Sequence, residues 1–182
     1  MRLYRQTVED FCLYAGKELC EEEIASLRTA AGAMSAKMRA VRIVSATNVS
    51  KGDLQQRLIQ KGEDPQQAKD AVEWMCQLDL VDDAKTAYQV VQRCISKGYG
   101  PARAKQALYE KRIPKQYWDE ALENYPDQTE QITDFLRSRL GEQWDQQDLR
   151  KCIDALMRKG HSYGTVRKAL SQFSVDPEDM DD

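Results

Sequence analysis

The sequence predicts an all-α protein: three tandem three-helix repeats in an elongated, curved arrangement, preceded by a short N-terminal cap. Three observations carry that expectation. The composition favours helix, with nine Gly and five Pro among 182 residues and a large share of Lys, Glu, Gln, Ala and Leu. A helix-pair pattern over Ser96 to Glu123 recurs more loosely on both sides. Most specifically, placing Leu58, Leu108 and Leu156 in register aligns Gly62, Arg112 and Gly160, then Asp64, Pro114 and Ser162, then Ala68, Trp118 and Val166, without a gap at offsets of 50 and 48 residues.

The elements follow in chain order. Residues 1–34 form the cap, in which Leu3, Val8, Phe11, Leu13, Leu19, Ile24 and Leu27 can line short helices. Gly16-Lys17-Glu18-Leu19 reads as a turn, Glu21-Glu22-Glu23 suits a helix N-terminus through the helix dipole, and Gly32 is expected to end the cap. The first repeat, 35–83, opens with a helix over Ala36 to Thr47. Its following pair is joined at Lys61-Gly62, where glycine can take the left-handed conformation that stops one helix and Asp64 can cap the next. Leu78, Leu80 and Val81 are expected to pack the junction to the second repeat.

The second repeat, 84–125, opens with a helix over Ala84 to Lys97, whose apolar stripe is read as Ala84, Tyr88, Val91, Cys94 and Ile95. Pro101 suits the first position of the next helix, and Ala104, Ala107 and Leu108 place apolar side chains on one of its faces. Arg112-Ile113-Pro114 breaks it. Arg112 lacks a glycine's freedom, so this joint is expected to turn differently from the other two. Tyr117, Trp118, Ala121, Leu122 and Tyr125 then recur at one-turn spacing. The third repeat, 126–174, opens with a helix over Asp127 to Leu140, striped by Ile132, Phe135, Leu136 and Leu140. Its pair is joined at Lys159-Gly160 and capped at Ser162. Residues 175–182 form an acidic tail, expected to be disordered from Pro177 onward and to compete with nucleic acid for the basic stretch between Arg150 and Lys168.

No apolar run is long enough to span a membrane and Met1 does not begin a signal peptide, so a cytoplasmic location is expected. Five scattered cysteines without a C-x-x-C pair read as mostly core-facing thiols in a reducing compartment. The single histidine, His161, excludes a histidine metal cluster and reads as a solvent-facing cap or local contact. Gly98-Tyr99-Gly100-Pro101 is too short for a phosphate loop and ends in a residue without an N–H. Asp82-Asp83 reads as a helix cap before a metal pair, and Trp74, Trp118 and Trp144 as core residues before base-stacking platforms. No catalytic residue, metal site or cofactor is expected.

The charge distribution is more informative than the net charge of −3. Ala84 to Tyr125 carries eight basic against four acidic residues, and Arg150 to Phe173 six against one. Thr47 to Asp83 and the tail are both acidic. The candidate binding residues are Arg93, Lys97, Arg103, Lys105, Lys111, Arg112 and Lys115 in the central repeat, with Arg150, Lys151, Arg158, Lys159, Arg167 and Lys168 in the third. Any one of them is more simply a solvated residue with a local acidic partner; as clusters, they favour a polyanionic or acidic partner.

The order of motifs then carries a resemblance. Leu54-x3-Leu58-x2-Lys61-Gly62, Leu78-Asp79-Leu80-Val81-Asp82-Asp83 leading to Ala87, Lys97-Gly98-Tyr99-Gly100-Pro101 with Leu108, and Lys159-Gly160-x-Ser162-Tyr163 with Ala169-Leu170 together resemble the RecX family of bacterial RecA modulators, over about Ala36 to Phe173. The resemblance implies a tandem three-helix-repeat protein that binds in the groove of the RecA filament on DNA and usually inhibits it. The partners it implies are the RecA nucleoprotein filament and, weakly, single- or double-stranded DNA, with the protein itself a monomer. The sequence departs from the family where it has Thr47 for a common Arg, Arg112 for Gly and His161 for Phe. Longer relatives also carry an N-terminal β-hairpin-like segment, of which Met1 to Leu19 would be a shortened or diverged remnant. Composition and periodicity alone fit equally a helical DNA-binding or protein-interaction scaffold independent of RecA.

Overall fold

The computed structural model describes residues 3–140 and 144–172; the expected acidic tail lies outside them. The described residues form ten α-helices and one 3-10 turn, with no strand: α1 Arg5–Asp10, α2 Glu21–Ala46, α3 Lys51–Gln60, α4 Pro65–Gln77, α5 Asp83–Ser96, α6 Pro101–Glu110, the 3-10 turn Lys115–Tyr117, α7 Trp118–Leu122, α8 Thr129–Arg139, α9 Gln146–Arg158 and α10 Tyr163–Ser171. They divide into two compact units. The first runs through Thr86 and takes in Lys111–Ile113, and the second comprises Ala87–Glu110 and the described residues from Pro114 on.

In the first unit, residues 3–20 hold the short helix α1 and turns, in keeping with a helical cap and without the hairpin-like remnant that the family resemblance allowed. Glu21, Glu22 and Glu23 occupy the first turn of α2, and Cys20 caps it reciprocally: Glu23 N–H donates to the Cys20 sulfur at 3.5 Å and Cys20 N–H to Glu23 Oε2 at 2.9 Å. The cap does not end at Gly32. The helix runs through it into the expected first helix of the repeat: an interior glycine costs a helix only about 1 kcal/mol, too little to stop one of this length, and a Cβ there would meet only the end of the Gln67 side chain of α4.

The first core gathers Ala36, Ala40, Val49, Leu54, Leu58, Ala68, Ala71, Val72, Met75 and Val81. Leu58 is fully buried, as its register position requires. Ser50 and Asp64 cap α3 and α4. Of the junction residues only Val81 is buried; Leu78 and Leu80 are about half exposed, at 48% and 52%, because left-handed Asp79 turns the chain outward between them. Asp82 caps α5 by accepting from Ala84 and Lys85 N–H, while Asp83 is buried and accepts from Lys51 N–H at 2.8 Å, so the acidic pair ties two helix starts. Glu63, also buried, receives Arg39 Nε at 2.6 Å and Ser35 Oγ at 3.0 Å from α2.

In the second unit, Ile132, Leu136, Leu140, Leu149, Cys152, Leu156, Val166, Ala169 and Leu170 form one core, and Ala87, Val91, Cys94, Ala104 and Leu108 are buried on α5 and α6. The stripe on α5 is rotated from the expected one. Ala84 and Tyr88 face solvent, Ile95 is half-buried, and the inward face of the helix is drawn by Asp83, Thr86, Ala87, Val91 and Cys94. A tyrosine tolerates that exposure through its polar tip. Cys94 and Cys152 are buried and Cys76 half-buried, whereas Cys12 and Cys20 are exposed, since they lie in the turns around α1 and not on a core-facing helix. Trp74 and Trp118 are half-buried and Trp144 is 37% exposed just ahead of α9, so the expectation of three core tryptophans fails for Trp144.

The joints correct one expectation. Arg112 turns in the same way as the two glycines: φ is +86° at Gly62, +54° at Arg112 and +86° at Gly160. A side chain in this region costs about 1–2 kcal/mol, and Arg112 takes it because its side chain is exposed and Ile113 beyond it is buried. Within the first unit Ser50 Oγ donates to Lys111 O, and a Cβ on Gly52 would lie 3.0 Å from the Arg112 carbonyl oxygen, closer than ordinary contact.

Candidate basic interface

Helix geometry distributes the central basic residues. Arg93 is on the exposed side of α5, opposite the buried Val91 and Cys94, and Lys97 is exposed in the turn just after the helix. On α6, Ala104 and Leu108 are buried, which leaves Arg103 and Lys105 exposed. Arg103 lies 3.6 Å from Glu110, a pair of two exposed side chains that water screens. Lys115 is exposed on the 3-10 turn. These five belong to the second unit, whereas Lys111 and Arg112 belong to the first, where Lys111 reaches Asp53 at 3.7 Å and not the expected Glu110 or Asp119. Arg112 itself is exposed.

The loop before α6 has a structural role. Gly100 N–H donates to Lys159 O at 2.9 Å, Ala102 N–H to Gly160 O at 3.2 Å, and His161 Nε2 to Gly98 O at 3.1 Å. A Cβ on Gly100 would overlap the Gly160 carbonyl, and one on Gly160 would strike the Arg103 backbone. The glycines of Lys97-Gly98-Tyr99-Gly100-Pro101 therefore permit two chain segments to touch, and the Gly100 amide is already used. His161 is buried and bonds Gly98, 63 residues away, so it is neither the solvent-facing cap nor the local contact expected, and burial holds its pKa below the usual imidazole value despite that bond. Tyr125 Oη donates to Tyr99 O at 2.6 Å, and burial pushes its hydroxyl up to about 12.

In the third helical group, Lys151, Arg158 and Lys159 converge on one cleft between α8 and α9, while Arg150 and Arg167 are exposed and Lys168 pairs with Asp127 at 2.8 Å. That pairing, with bonds from Thr129, holds the Asp127 carboxyl well below the ordinary carboxylate range. The cleft includes two residues not among the candidates, Arg139 and Phe135. Their i, i+4 spacing was the available signal, masked because Phe135 also fits the apolar stripe of α8. Among the described residues no group of His, Cys, Asp and Glu is arranged to hold a metal, and no helix is long and apolar enough to cross a membrane.

Comparison with known proteins places these features in a family. The family model described as "RecX, second three-helix domain" matches residues 82–122. The regulatory protein RecX of Xanthomonas axonopodis pv. citri is 30% identical over 141 residues, covering 76% of this chain and 86% of the relative; that of Xanthomonas campestris pv. campestris is 31% identical over 134 residues, covering 72% and 83%. Two solved structures share the fold. A crystal structure of regulatory protein RecX superposes with a TM-score of 0.72 at 23% identity, covering 93% of this chain and 86% of its own. That of RecX from Lactobacillus salivarius superposes with 0.68 at 20%, covering 79% and 97%.

Proposed function

Since the chain belongs to the RecX family of regulatory proteins, we propose that it is a non-catalytic modulator of the RecA recombinase, acting as an inhibitor in the cytoplasm by binding the RecA–DNA filament through a basic helical face. The observation that carries this reading is the identity to proteins named regulatory protein RecX across three quarters of the chain. The exposed set Arg93, Lys97, Arg103, Lys105 and Lys115 supports it, in a chain whose net charge is negative. We further propose the repeat divisions 35–83, 84–125 and 126–174; the family-model match at 82–122 supports the second. The protein works as a monomer. A filament offers phosphate and acidic protein surface together, so several basic segments can engage at once, and naked DNA is held more weakly.

The test is charge reversal. Arg103→Glu with Lys105→Glu should abolish the effect on RecA strand exchange and ATP hydrolysis. Circular dichroism and melting temperature should stay near the parent's, because exposed charges contribute at most about 1 kcal/mol each. Unchanged modulation at physiological salt would remove the central face from the mechanism. A parent protein that binds DNA but never alters RecA would instead identify a helical scaffold independent of RecA.

A further inference from the structure

The cleft between α8 and α9 encloses about 480 Å³ and is lined by Phe135, Arg139, Lys151, Arg158 and Lys159, with Asp148, Cys152 and Ala155. Four cations face one carboxylate there. Asp148 is occupied by Lys151 at 3.1 Å. The other three cations are held by groups that orient them without cancelling their charge. Lys159 Nζ sits 4.4 Å from the Phe135 ring centre, Arg139 Cζ lies 5.9 Å from it, and Arg158 Nε donates to the Asp154 carbonyl at 3.3 Å. A ring holds a cation through its quadrupole and leaves the full positive charge available, whereas a carboxylate would neutralise it. Among the described residues, Arg139, Arg158 and Lys159 have no carboxylate partner. Cys152, the one thiol on the wall, is pushed up by burial and stays protonated, so the cleft offers attraction without a nucleophile.

We propose that this cleft is a phosphate-backbone site that takes two or more consecutive phosphodiesters of a nucleic-acid strand. The ligand is a polyanion and not one ion, because four cations against one carboxylate leave the cleft three charges positive, more than one phosphate group carries. The apolar walls at Phe135 and Ala155 give the sugars of such a strand a surface to lie on. The proposal deepens the filament reading, on which it rests for the strand present in the cell, by adding a DNA contact outside the central basic face.

The experiment measures binding of the full chain to a fluorescein-labelled oligothymidylate across a salt series, in parallel with the RecA assay. The variants are the triple Arg139→Ala, Arg158→Ala, Lys159→Ala, and Phe135→Leu. The triple should lose about tenfold or more in affinity at low salt, and its slope of log affinity against log salt should flatten by about 2. Phe135→Leu keeps every charge and an apolar core residue, and should lose about two- to fivefold by releasing Lys159 and Arg139. A folded triple variant that binds with the parent's affinity and slope overturns the proposal. So does displacement of the oligonucleotide by thymidine monophosphate or polyglutamate at equal concentration of charge, since the site would then take a small phosphate or an acidic protein. If the triple variant fails to fold, Phe135→Leu and Arg139→Ala decide: parental binding in both overturns the cleft. Loss of DNA binding in a protein without effect on RecA would sustain the cleft and refute the filament reading; unchanged DNA binding with intact RecA modulation would do the reverse.

Discussion

His161 shows how one side chain acquires a pH response from its surroundings. Its ring is buried against Gly98 O, and burial lowers its pKa below the ordinary value of 6.5. Above that value both folded and unfolded chains carry neutral imidazole. As pH falls below it, the unfolded chain takes up a proton that the folded one resists, so stability declines by at most about 1.4 kcal/mol per pH unit until the folded value is passed. His161 is the single histidine, and Asp127, held low by Lys168, titrates well beneath this window. The melting temperature should therefore fall between pH 7 and pH 5 in the parent and fall less in His161→Gln. Arg112 makes the opposite case, a residue kept in a conformation that it does not favour. With φ at +54° and an exposed side chain, Arg112→Gly should raise the unfolding free energy measured in urea by about 0.5–1 kcal/mol, once the extra freedom of glycine in the unfolded chain is deducted.

At the scale of elements, helix ends organise each unit. Asp64, Asp145 and Ser162 cap the helices that follow them through ordinary side-chain bonds, and these starts are readable from residue type alone. Asp83 differs, because it lies inside the first turn of α5 and caps α3 from 32 residues away through Lys51 N–H. No local pattern announces such a contact. The close approach of Gly100 and Gly160 is of the same kind, and it makes a sharp prediction. Gly100→Ala places a Cβ against the Gly160 carbonyl, a backbone group that cannot swing aside, and should cost about 1–3 kcal/mol. Gly164→Ala, where the added Cβ meets only Ser162 Oγ at 3.9 Å, should be neutral or stabilising in the same denaturation series.

Across the whole molecule, the sum of charges and their arrangement point in different directions. A chain of net charge −3 is repelled by a polyanion at long range, yet basic residues crowd α5, α6 and α9 and can bind phosphate at short range. Binding to naked DNA should consequently be weak and steep in salt, losing at least about tenfold between 50 and 200 mM. On the proposed filament reading, in which protein contacts would share the attachment, binding to a RecA filament should fall less over the same range. Equal salt slopes for the two, measured by fluorescence anisotropy, would place the whole attachment on phosphate.

The sequence by itself determined the all-helical class, the three joints and the leucines at their centres. Each depends on local chemistry repeated at fixed spacing: Leu58, Leu108 and Leu156 are all buried to within 1%, and the chain turns at Gly62, Arg112 and Gly160. The order of its motifs also indicated the family to which the chain belongs. Tertiary structure decided what local chemistry leaves open. It carried α2 through Gly32, whose small helical penalty packing outweighs, and it turned Tyr88 outward because the buried face of α5 is chosen by what lies against it. It bent Arg112 into a glycine's conformation while burying the neighbouring Ile113. The basic residues divide in the same way. Their abundance is visible in the chain, but only packing gathers Arg139 and Phe135 with Lys151, Arg158 and Lys159 in one cleft, since a cleft is a relation between two helices and a sequence pattern describes one helix at a time.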